Sequence, residues 1–281
     1  MDESWDWATG EDGEEAARHT ELRTDIPHPA RMYDYYLGGR DNYEVDREAA
    51  ERVLDVAPDV VLGARANRDF MRRAVRHLVE SGIRQIIDIG TGIPTSPNTH
   101  EIAHSVDPSV RVAYIDNDPI VATHAGARLL GTGNTGFFLG DMRKPQSILE
   151  HPTIGELIDV RQPVALMLVS VLHFVADKED PAGLIAAYRA ALPAGSHLVL
   201  SHATGDFHGE RADNVAEVYK RATASLTPRT HAEVLALFDG FDLVEPGLVQ
   251  VHEWRPDGST EVPDRPVGVY GAVGRLQERT A

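Results

Sequence analysis

Apolar runs alternate with amphipathic stretches through the middle of the chain. Several short runs have the apolar character of buried parallel strands, namely 86–89, 110–115, 135–139, 164–169 and 196–201. Between them, apolar residues recur at helical spacing, as at Leu184, Tyr188 and Leu192. Strands that alternate with helices in this way predict a parallel sheet covered by helices.

A helical segment precedes the first strand. Helices are predicted at 46–54 and 64–81, and the second places Phe70, Ala74 and Leu78 one turn apart on one face. The stretch before them is acidic and poorly patterned, as in disordered segments. The chain therefore divides into three predicted parts: an acidic, disordered tail (1–25), a helical cap (26–82) and an α/β domain (83–281).

The C-terminal part departs from simple alternation. A helix is predicted at 211–224, and strands follow at 240–244, 248–254 and 267–276. The last two strands are joined by a loop alone, which predicts an antiparallel hairpin at one edge of the sheet. The predicted fold class is therefore α/β, with a Rossmann-like, mostly parallel sheet, a C-terminal antiparallel hairpin, flanking helices and an N-terminal helical cap.

The chain is acidic and has no cysteine. Its 281 residues include 44 acidic and 27 Lys or Arg residues, a net charge of −17, so a nucleic-acid partner is not expected. The helical spacing of Arg72, Arg73 and Arg76 is interpreted as a solvated face. No apolar run reaches the ~20 residues of a membrane span, and no signal-peptide pattern opens the chain. The sequence predicts a cytoplasmic protein without a membrane partner.

A glycine turn after the first strand carries the clearest chemical signal. Asp88-Ile-Gly-Thr-Gly92 places a carboxylate inside the strand and two glycines where the backbone can bend sharply and approach a ligand. A dinucleotide fingerprint would have a third glycine three positions later, but Thr95 stands there. Taken alone, the turn is also compatible with a plain strand-to-helix connection.

Polar residues follow the next three strands, at the edge where ligands bind in open α/β sheets. Asp116 follows the second strand, Asp141 and Met142 the third, and 170–173 the fourth. Asp116 can accept both hydroxyls of a ribose, Asp141 can accept from an adenine amine, and Met142 N–H can donate to a ring nitrogen. Asp118 is expected to cap the following helix. Singly, these residues could be caps or core residues, but their order favours a nucleotide site.

These motifs, in this order, resemble those of class I S-adenosylmethionine-dependent methyltransferases. Three segments are similar to one bacterial family of S-adenosyl methyltransferases, long known as a domain of unknown function: Ala30-Arg-Met-Tyr-Asp-Tyr-Tyr-Leu-Gly-Gly-Arg-Asp-Asn42, Arg65-Ala-Asn-Arg68 and Asp88-Ile-Gly-Thr-Gly92. The resemblance covers about residues 26–276. It implies S-adenosyl-L-methionine as the cofactor and a pocket beneath the cap.

The resemblance also implies positions for the site residues. Seven of them fall on cofactor positions: Gly90, Thr91, Gly92, Asp116, Asn117, Asp141 and Met142. Asp88 in the first strand and Ser170 after the fourth complete the predicted cofactor site. Arg31, Tyr33 and Tyr36 of the cap are expected near the cofactor or the methyl acceptor, although such tyrosines can also pack the cap onto the domain.

The predicted activity is methyl transfer by in-line displacement from the sulfonium to a small molecule. His173 is the candidate general base, because it follows the central strand and histidine titrates near neutrality. The scattered histidines lack metal-site spacing, so no metal is predicted. Two alternatives stay open: a protein that binds S-adenosylmethionine or its product as a regulatory signal, and a nicotinamide-dependent oxidoreductase. The missing third glycine and the late hairpin disfavour the second.

Overall fold

The computed structural model of the chain describes residues 23–129, 133–207, 209–259 and 262–277. Most of the acidic tail predicted at 1–25 lies outside the described residues. The helices are α1 (Pro29–Tyr36), α2 (Glu44–Val56), α3 (Val60–Glu80), α4 (Thr99–Val106), α5 (Pro119–Arg128), α6 (Pro145–Leu149), α7 (Pro152–Leu157), α8 (Pro181–Ala191), α9 (Glu210–Tyr219) and α10 (His231–Ala236). The strands are β1 (Gln85–Ile89), β2 (Arg111–Asp116), β3 (Thr135–Leu139), β4 (Ala165–Val169), β5 (His197–Ala203), β6 (Phe241–Leu243), β7 (Val249–Gln250) and β8 (Val269–Leu276).

The strands form one mixed sheet in the order β3-β2-β1-β4-β5-β8-β6, and β7 also pairs with β8. The first five strands are parallel, whereas β8 runs antiparallel to β5, β6 and β7. The predicted mostly parallel sheet with an antiparallel hairpin is therefore confirmed. The chain leaves β1 towards β3 on one side and crosses to β4 on the other, so β1 and β4 flank the point where ligands bind in such sheets.

Buried side chains of successive strand residues face opposite layers. In β1, Ile87 and Ile89 belong to a core with residues of α6, α7 and α8, whereas Ile86 packs in a second core with α3, α4 and α5. Both faces of the sheet are thus covered by helices, which explains why the sequences of the parallel strands are almost continuously apolar.

The N-terminal helices form a cap against α9. Residues of α1, α2, the start of α3 and α9 share a third hydrophobic cluster, here called the cap cluster: Met32, Tyr36, Ala49, Ala50, Val53, Ala57, Ala64, Val215 and Tyr219. Polar contacts also tie the cap to the α/β part. Arg128 Nη1 donates to Asp41 Oδ2 at 2.7 Å, and Thr223 N–H donates to Pro27 O at 2.9 Å. Because of these contacts, the cap lies over the carboxyl ends of the strands.

Two predicted elements are shorter in the structure. The helix predicted at 211–224 ends at Tyr219, because the following backbone bonds to distant segments; Thr223 binds the cap and Thr227 N–H donates to His173 O at 2.8 Å. The strand predicted at 248–254 is reduced to the two residues of β7.

Arg73 accounts for the short strand. Its Nε and Nη2 donate to Trp254 O at 2.8 Å and Val251 O at 2.7 Å, so the carbonyl groups of this segment bind an arginine rather than a strand. The interpretation of Arg73 as part of a solvated face is therefore wrong, since its side chain is buried. Arg72 lies nearer the surface, where it pairs with Asp257 at 2.8 Å.

Candidate active site

The glycine turn joins β1 to α4 at the carboxyl end of the sheet. Gly90 and Gly92 have φ values of +78° and +67°, in the region that side chains rarely adopt. The N–H groups of Gly90 and Thr91 both donate to Ile115 O, at 2.8 and 3.2 Å, so the turn bends over the end of β2. A Cβ at Gly90 would lie 2.3 Å from Cγ2 of Val171, which follows β4. The turn is therefore closed against both neighbouring strands.

Asp88 lies inside β1, two residues before Gly90. Its Oδ2 accepts a hydrogen bond from Thr99 Oγ1 at 2.6 Å, which ties the strand to the first turn of α4. Burial raises the pKa of this carboxyl to about 6, against the lowering influences of Thr99 and Arg68. The carboxylate thus fixes the helix start beside the turn and lines the same cavity.

Asp116 ends β2 and connects the turn to the next loop. Its Oδ2 accepts from Gly92 N–H at 2.8 Å, and its Oδ1 accepts from Asp118 N–H at 3.0 Å. Burial raises the pKa of Asp116 to about 6 despite these hydrogen bonds. Each oxygen keeps a second lone pair, so the carboxylate can accept two further hydrogen bonds from a ligand.

Asp118 caps α5 as predicted, with Oδ1 accepting from Ile120 N–H at 2.9 Å. Its Oδ2 is buried and accepts no hydrogen bond from the described residues. This oxygen lies 3.2 Å from Nδ1 of His28 in the cap. That nitrogen also accepts from Ala30 N–H at 3.2 Å, and burial lowers the pKa of His28 although the nearby Asp118 acts in the opposite direction. The cavity wall is thus rich in acceptors and suits a ligand that carries hydrogen-bond donors.

The loop after β3 presents Asp141 and Met142. Asp141 Oδ1 accepts from the N–H of Arg143 at 3.0 Å and from its Nη1 at 3.3 Å. Arg143 in turn donates to Glu179 Oε1 at 2.7 Å and to Phe174 O at 2.9 Å. The Arg143 guanidinium therefore holds the Asp141 carboxylate beside the loop that follows β4.

Ser170 and His173 lie in that loop. Ser170 has a φ of +53°, and its N–H donates to Ser201 Oγ at 2.9 Å. His173 is buried, and its Nδ1 accepts from Ala203 N–H at 3.2 Å, which places the proton of the neutral ring on Nε2. Burial also lowers the pKa of His173 well below its usual value. A base needs a free ring nitrogen, so this arrangement favours a structural role. The catalytic role stays a prediction.

The three cap residues singled out from the sequence make polar contacts within the protein, although Arg31 Nη1 is buried and has no hydrogen-bond partner among the described residues. Arg31 is buried, with Nε 3.2 Å from Asp46 Oδ2 and Nη2 donating to Ile26 O at 2.6 Å. Tyr33 Oη donates to Ala64 O at 2.9 Å. The Oη atoms of Tyr36 and Tyr219 are 3.3 Å apart. These contacts hold the cap together, and the same side chains also line the cavity beneath it.

One cavity of about 460 Å³ brings the predicted residues together. All thirteen side chains or turns proposed from the sequence line it: Arg31, Tyr33, Tyr36, Asp88, Gly90, Thr91, Gly92, Asp116, Asn117, Asp141, Met142, Ser170 and His173. Its volume lies within the range of about 300–1,000 Å³ that is usual for small-molecule sites. The cavity extends from the carboxyl ends of β1, β2 and β3 to the cap cluster.

Asn67 and Arg68 were not assigned to the site from the sequence, but they also line the cavity. Arg68 Nη2 donates to Thr95 O and Pro97 O, each at 2.7 Å, and among the described residues Nη1 donates only to Met71 Sδ at 3.5 Å. Within the described ranges, no carboxylate lies within 4 Å of its guanidinium. The sequence does contain an indication of Arg68, because this residue belongs to Arg65-Ala-Asn-Arg68, one of the segments that carry the resemblance.

Neither a metal-binding cluster nor a membrane-spanning helix is present among the described residues. They contain no group of three or more His, Asp or Glu side chains that could hold a metal ion. No helix among them has the length and apolar character needed to cross a membrane.

Comparison with known proteins identifies the family. Residues 15–277 match the family described as S-adenosyl methyltransferase. A DUF574 family protein from Streptomyces avermitilis is 45% identical, with 91% of this chain and 100% of that chain covered and a TM-score of 0.88. A candidate methyltransferase from Thermobifida fusca is 38% identical, with 92% and 97% covered and a TM-score of 0.85.

More distant structures share the fold alone. An O-methyltransferase family protein from Burkholderia thailandensis is 14% identical, covers 95% of this chain and 69% of its own, and has a TM-score of 0.50. No curated protein matches the sequence. The resemblance noted in the sequence is confirmed: the chain belongs to the S-adenosyl methyltransferase family and is an enzyme that depends on S-adenosyl-L-methionine.

Proposed function

We propose that the enzyme methylates a small molecule that binds between the cap and the cofactor-binding residues at the carboxyl ends of the strands. The observation that carries the proposal is the cavity of about 460 Å³, which reaches from the nucleotide-binding edge of the sheet to the apolar cap cluster. Room for a second ligand beside the cofactor is needed for transfer, and an apolar end beneath the cap suits a small molecule better than a folded macromolecule. The net charge of −17 also disfavours nucleic acid.

The residues present fit S-adenosyl-L-methionine. Asp116 has two lone pairs for the ribose diol, and the buried Oδ2 of Asp118 accepts no hydrogen bond from the described residues. Asp141, held by Arg143, is proposed to accept a hydrogen bond from the adenine amine. The glycine turn lets the chain approach the ligand without side chains. An acceptor-rich wall also favours a positively charged sulfur.

Arg68 is proposed to bind the carboxylate of the methionine part. Its Nη1 has spare donors, and its Nη2 is fixed by two backbone carbonyls of the loop after the glycine turn. Two other arginines of the cavity pair with carboxylates, Arg31 with Asp46, and Arg143 with Asp141 and Glu179. An arginine that is held in place but lacks an acidic partner is suited to a ligand carboxylate.

When bound, the cofactor supplies a methyl group on a positively charged sulfur. The protein's own contribution is to hold donor and acceptor in line and close together, which can lower the barrier by several kcal/mol. The neutral His173, with its Nδ1 bonded to Ala203 N–H, shapes the wall between the two ends of the cavity. A proton released by the acceptor would then pass to solvent or to another group of the acceptor.

The acceptor class can be tested with a labelled methyl donor. Enzyme and methyl-labelled cofactor are incubated with an extract of Streptomyces avermitilis, the source of the 45% identical relative. The extract is divided by ultrafiltration into low-mass and macromolecular fractions. We expect label in the low-mass fraction only, and addition of S-adenosylhomocysteine should suppress it. Label in protein or RNA would overturn the proposal, and cofactor binding without label in any fraction would favour the regulatory alternative.

The buried carboxylates predict opposite pH dependences for binding and stability. Asp88 and Asp116 have pKa values of about 6, above the usual value of 3.8. A diol and a sulfonium prefer ionised carboxylates, so cofactor affinity should fall about tenfold between about pH 7 and pH 5. In the folded state without cofactor, these two carboxyls bind more protons than in the unfolded state, so their own contribution to stability rises as the pH falls. The buried His173, His197 and His202 have lowered pKa values and contribute in the opposite direction. Calorimetric titration across this range checks the binding, and the difference in urea denaturation between the wild type and Asp88→Asn at each pH isolates a carboxyl contribution.

A further inference from the structure

The cap end of the cavity has a chemical character of its own. Its walls come from the cap cluster, through Tyr36, Val53, Ala57, Val215 and Tyr219. α9 packs against α2 there, so the pocket lies between two helices that are far apart in the chain. Apolar side chains cover most of this surface, which favours a ligand that is itself mainly apolar.

Aromatic rings form part of these walls. Four of the lining side chains at this end are aromatic: Tyr33, Tyr36, Phe174 and Tyr219. The rings of Phe174 and Tyr219 lie with their centroids 5.8 Å apart and their planes tilted by 42°. A tilted pair of this kind offers both a face and an edge to a third ring. The walls therefore suit a planar, ring-bearing molecule better than a flexible chain.

The Tyr36–Tyr219 pair supplies a polar contact in this apolar surface. The two Oη atoms are 3.3 Å apart, and one phenolic hydrogen is used between them. Within the part of the chain that the structure describes, neither oxygen makes another hydrogen bond, so the second hydrogen is left for a ligand. Burial raises the pKa of Tyr219 to about 12 and that of Tyr36 well above its usual value. The pair is therefore a neutral donor and not a base.

Fixed charge at this end is already engaged. Asp59 and Arg211 also line the cavity, and each has an interaction partner within the protein. A charged ligand would have to give up water and compete with these partners for its counterion. A neutral ligand avoids this cost.

We propose that the cap end binds a neutral, ring-bearing acceptor whose hydroxyl or carbonyl oxygen accepts a hydrogen bond from the Tyr36–Tyr219 pair. This inference rests on the proposed function, because it names the class of small molecule that would receive the methyl group. The hydroxyl groups of Tyr36 and Tyr219 orient the acceptor, and the apolar walls provide most of the binding free energy.

The test uses 2-naphthol and naphthalene, which differ by one hydroxyl, together with 2-naphthoate and 2-naphthylmethylammonium as charged probes. Each is titrated into enzyme saturated with S-adenosylhomocysteine. We expect 2-naphthol to bind about 3- to 10-fold more tightly than naphthalene, the increment of one hydrogen bond, and both charged probes to bind more weakly than 2-naphthol.

Two variants identify the groups responsible. The double variant Tyr36→Phe and Tyr219→Phe keeps the rings but removes both hydroxyls, so the preference for 2-naphthol should disappear while naphthalene still binds. Val215→Trp should fill the pocket and block both probes. Affinity for S-adenosylhomocysteine should stay within about twofold in every variant, and this value also checks that each variant is folded.

Several outcomes would overturn the inference. They are the failure of 2-naphthol to bind the wild type, a preference for 2-naphthol that survives in the double variant, and tighter binding of a charged probe. These results are separable from failure of the proposed function, which would show as methylation of protein or RNA whatever the probes do.

Discussion

Replacement of Gly90 by alanine is expected to destabilise the enzyme by about 2–5 kcal/mol and to weaken cofactor binding at least tenfold. Two costs add at this position. The backbone has a φ of +78°, and the new Cβ would lie 2.3 Å from Val171 Cγ2 and 2.6 Å from Val171 Cβ. Relief of the overlap requires movement of the turn or of the loop after β4, and both line the cavity.

Gly38 provides a matched control. Its φ is +79°, but a Cβ there would meet nothing within 4 Å. Gly38→Ala should therefore show the backbone cost alone, about 1–2 kcal/mol, and leave cofactor affinity unchanged. Urea denaturation and titration with S-adenosylhomocysteine measure both effects. Equal losses of stability in the two variants would contradict the close packing of the turn against Val171.

Substitution of Asp116 and Arg68 should weaken cofactor binding in ways that depend on the part of the ligand each residue contacts. Asp116→Asn removes the charged acceptor for the ribose and should cost about 2–4 kcal/mol, roughly 30- to 1,000-fold in affinity. The amide nitrogen would also face Gly92 N–H or Asp118 N–H, since each carboxylate oxygen accepts from one of them. Arg68→Met removes the proposed carboxylate partner and should cost roughly 10- to 100-fold.

Two ligands separate the roles. S-adenosylhomocysteine and 5′-methylthioadenosine both carry the adenosine part, but only the first has the carboxylate. Asp116→Asn should weaken both by similar factors, whereas Arg68→Met should weaken only S-adenosylhomocysteine. A parallel loss of both ligands in Arg68→Met would mean that Arg68 acts by holding the loop through Thr95 O and Pro97 O. An unchanged affinity in Asp116→Asn would remove Asp116 from the cofactor site.

The parts of this enzyme that were predictable from its sequence depend on local patterns and on the rules of parallel sheets. Apolar runs located the first five strands, and the glycines at 90 and 92 located the turn. Because the carboxyl ends of parallel strands meet at one edge, residues from four strands could be assigned to one site, and they do line one cavity.

The parts that were not predictable depend on pairs of residues far apart in the chain. Nothing near His173 indicates that Ala203 N–H occupies its Nδ1, because that donor comes from β5. Tyr36 and Tyr219 meet across 183 positions. Arg73 was interpreted as solvated because helical spacing does not show that the carbonyl groups of Val251 and Trp254 lie beside it. Such contacts arise from tertiary packing, which local periodicity does not encode.

The helix α3 packs against both the cap and the sheet. It is 21 residues long, roughly 30 Å, with Ala64 in the cap cluster and Phe70, Ala74 and Leu78 in the core beneath the sheet. Loss of the cap helices would leave its first turns without their packing partners, and loss of the sheet would expose its last turns. We therefore expect the cap helices to unfold together with the start of α3 and the core of the sheet, and not as an independent unit.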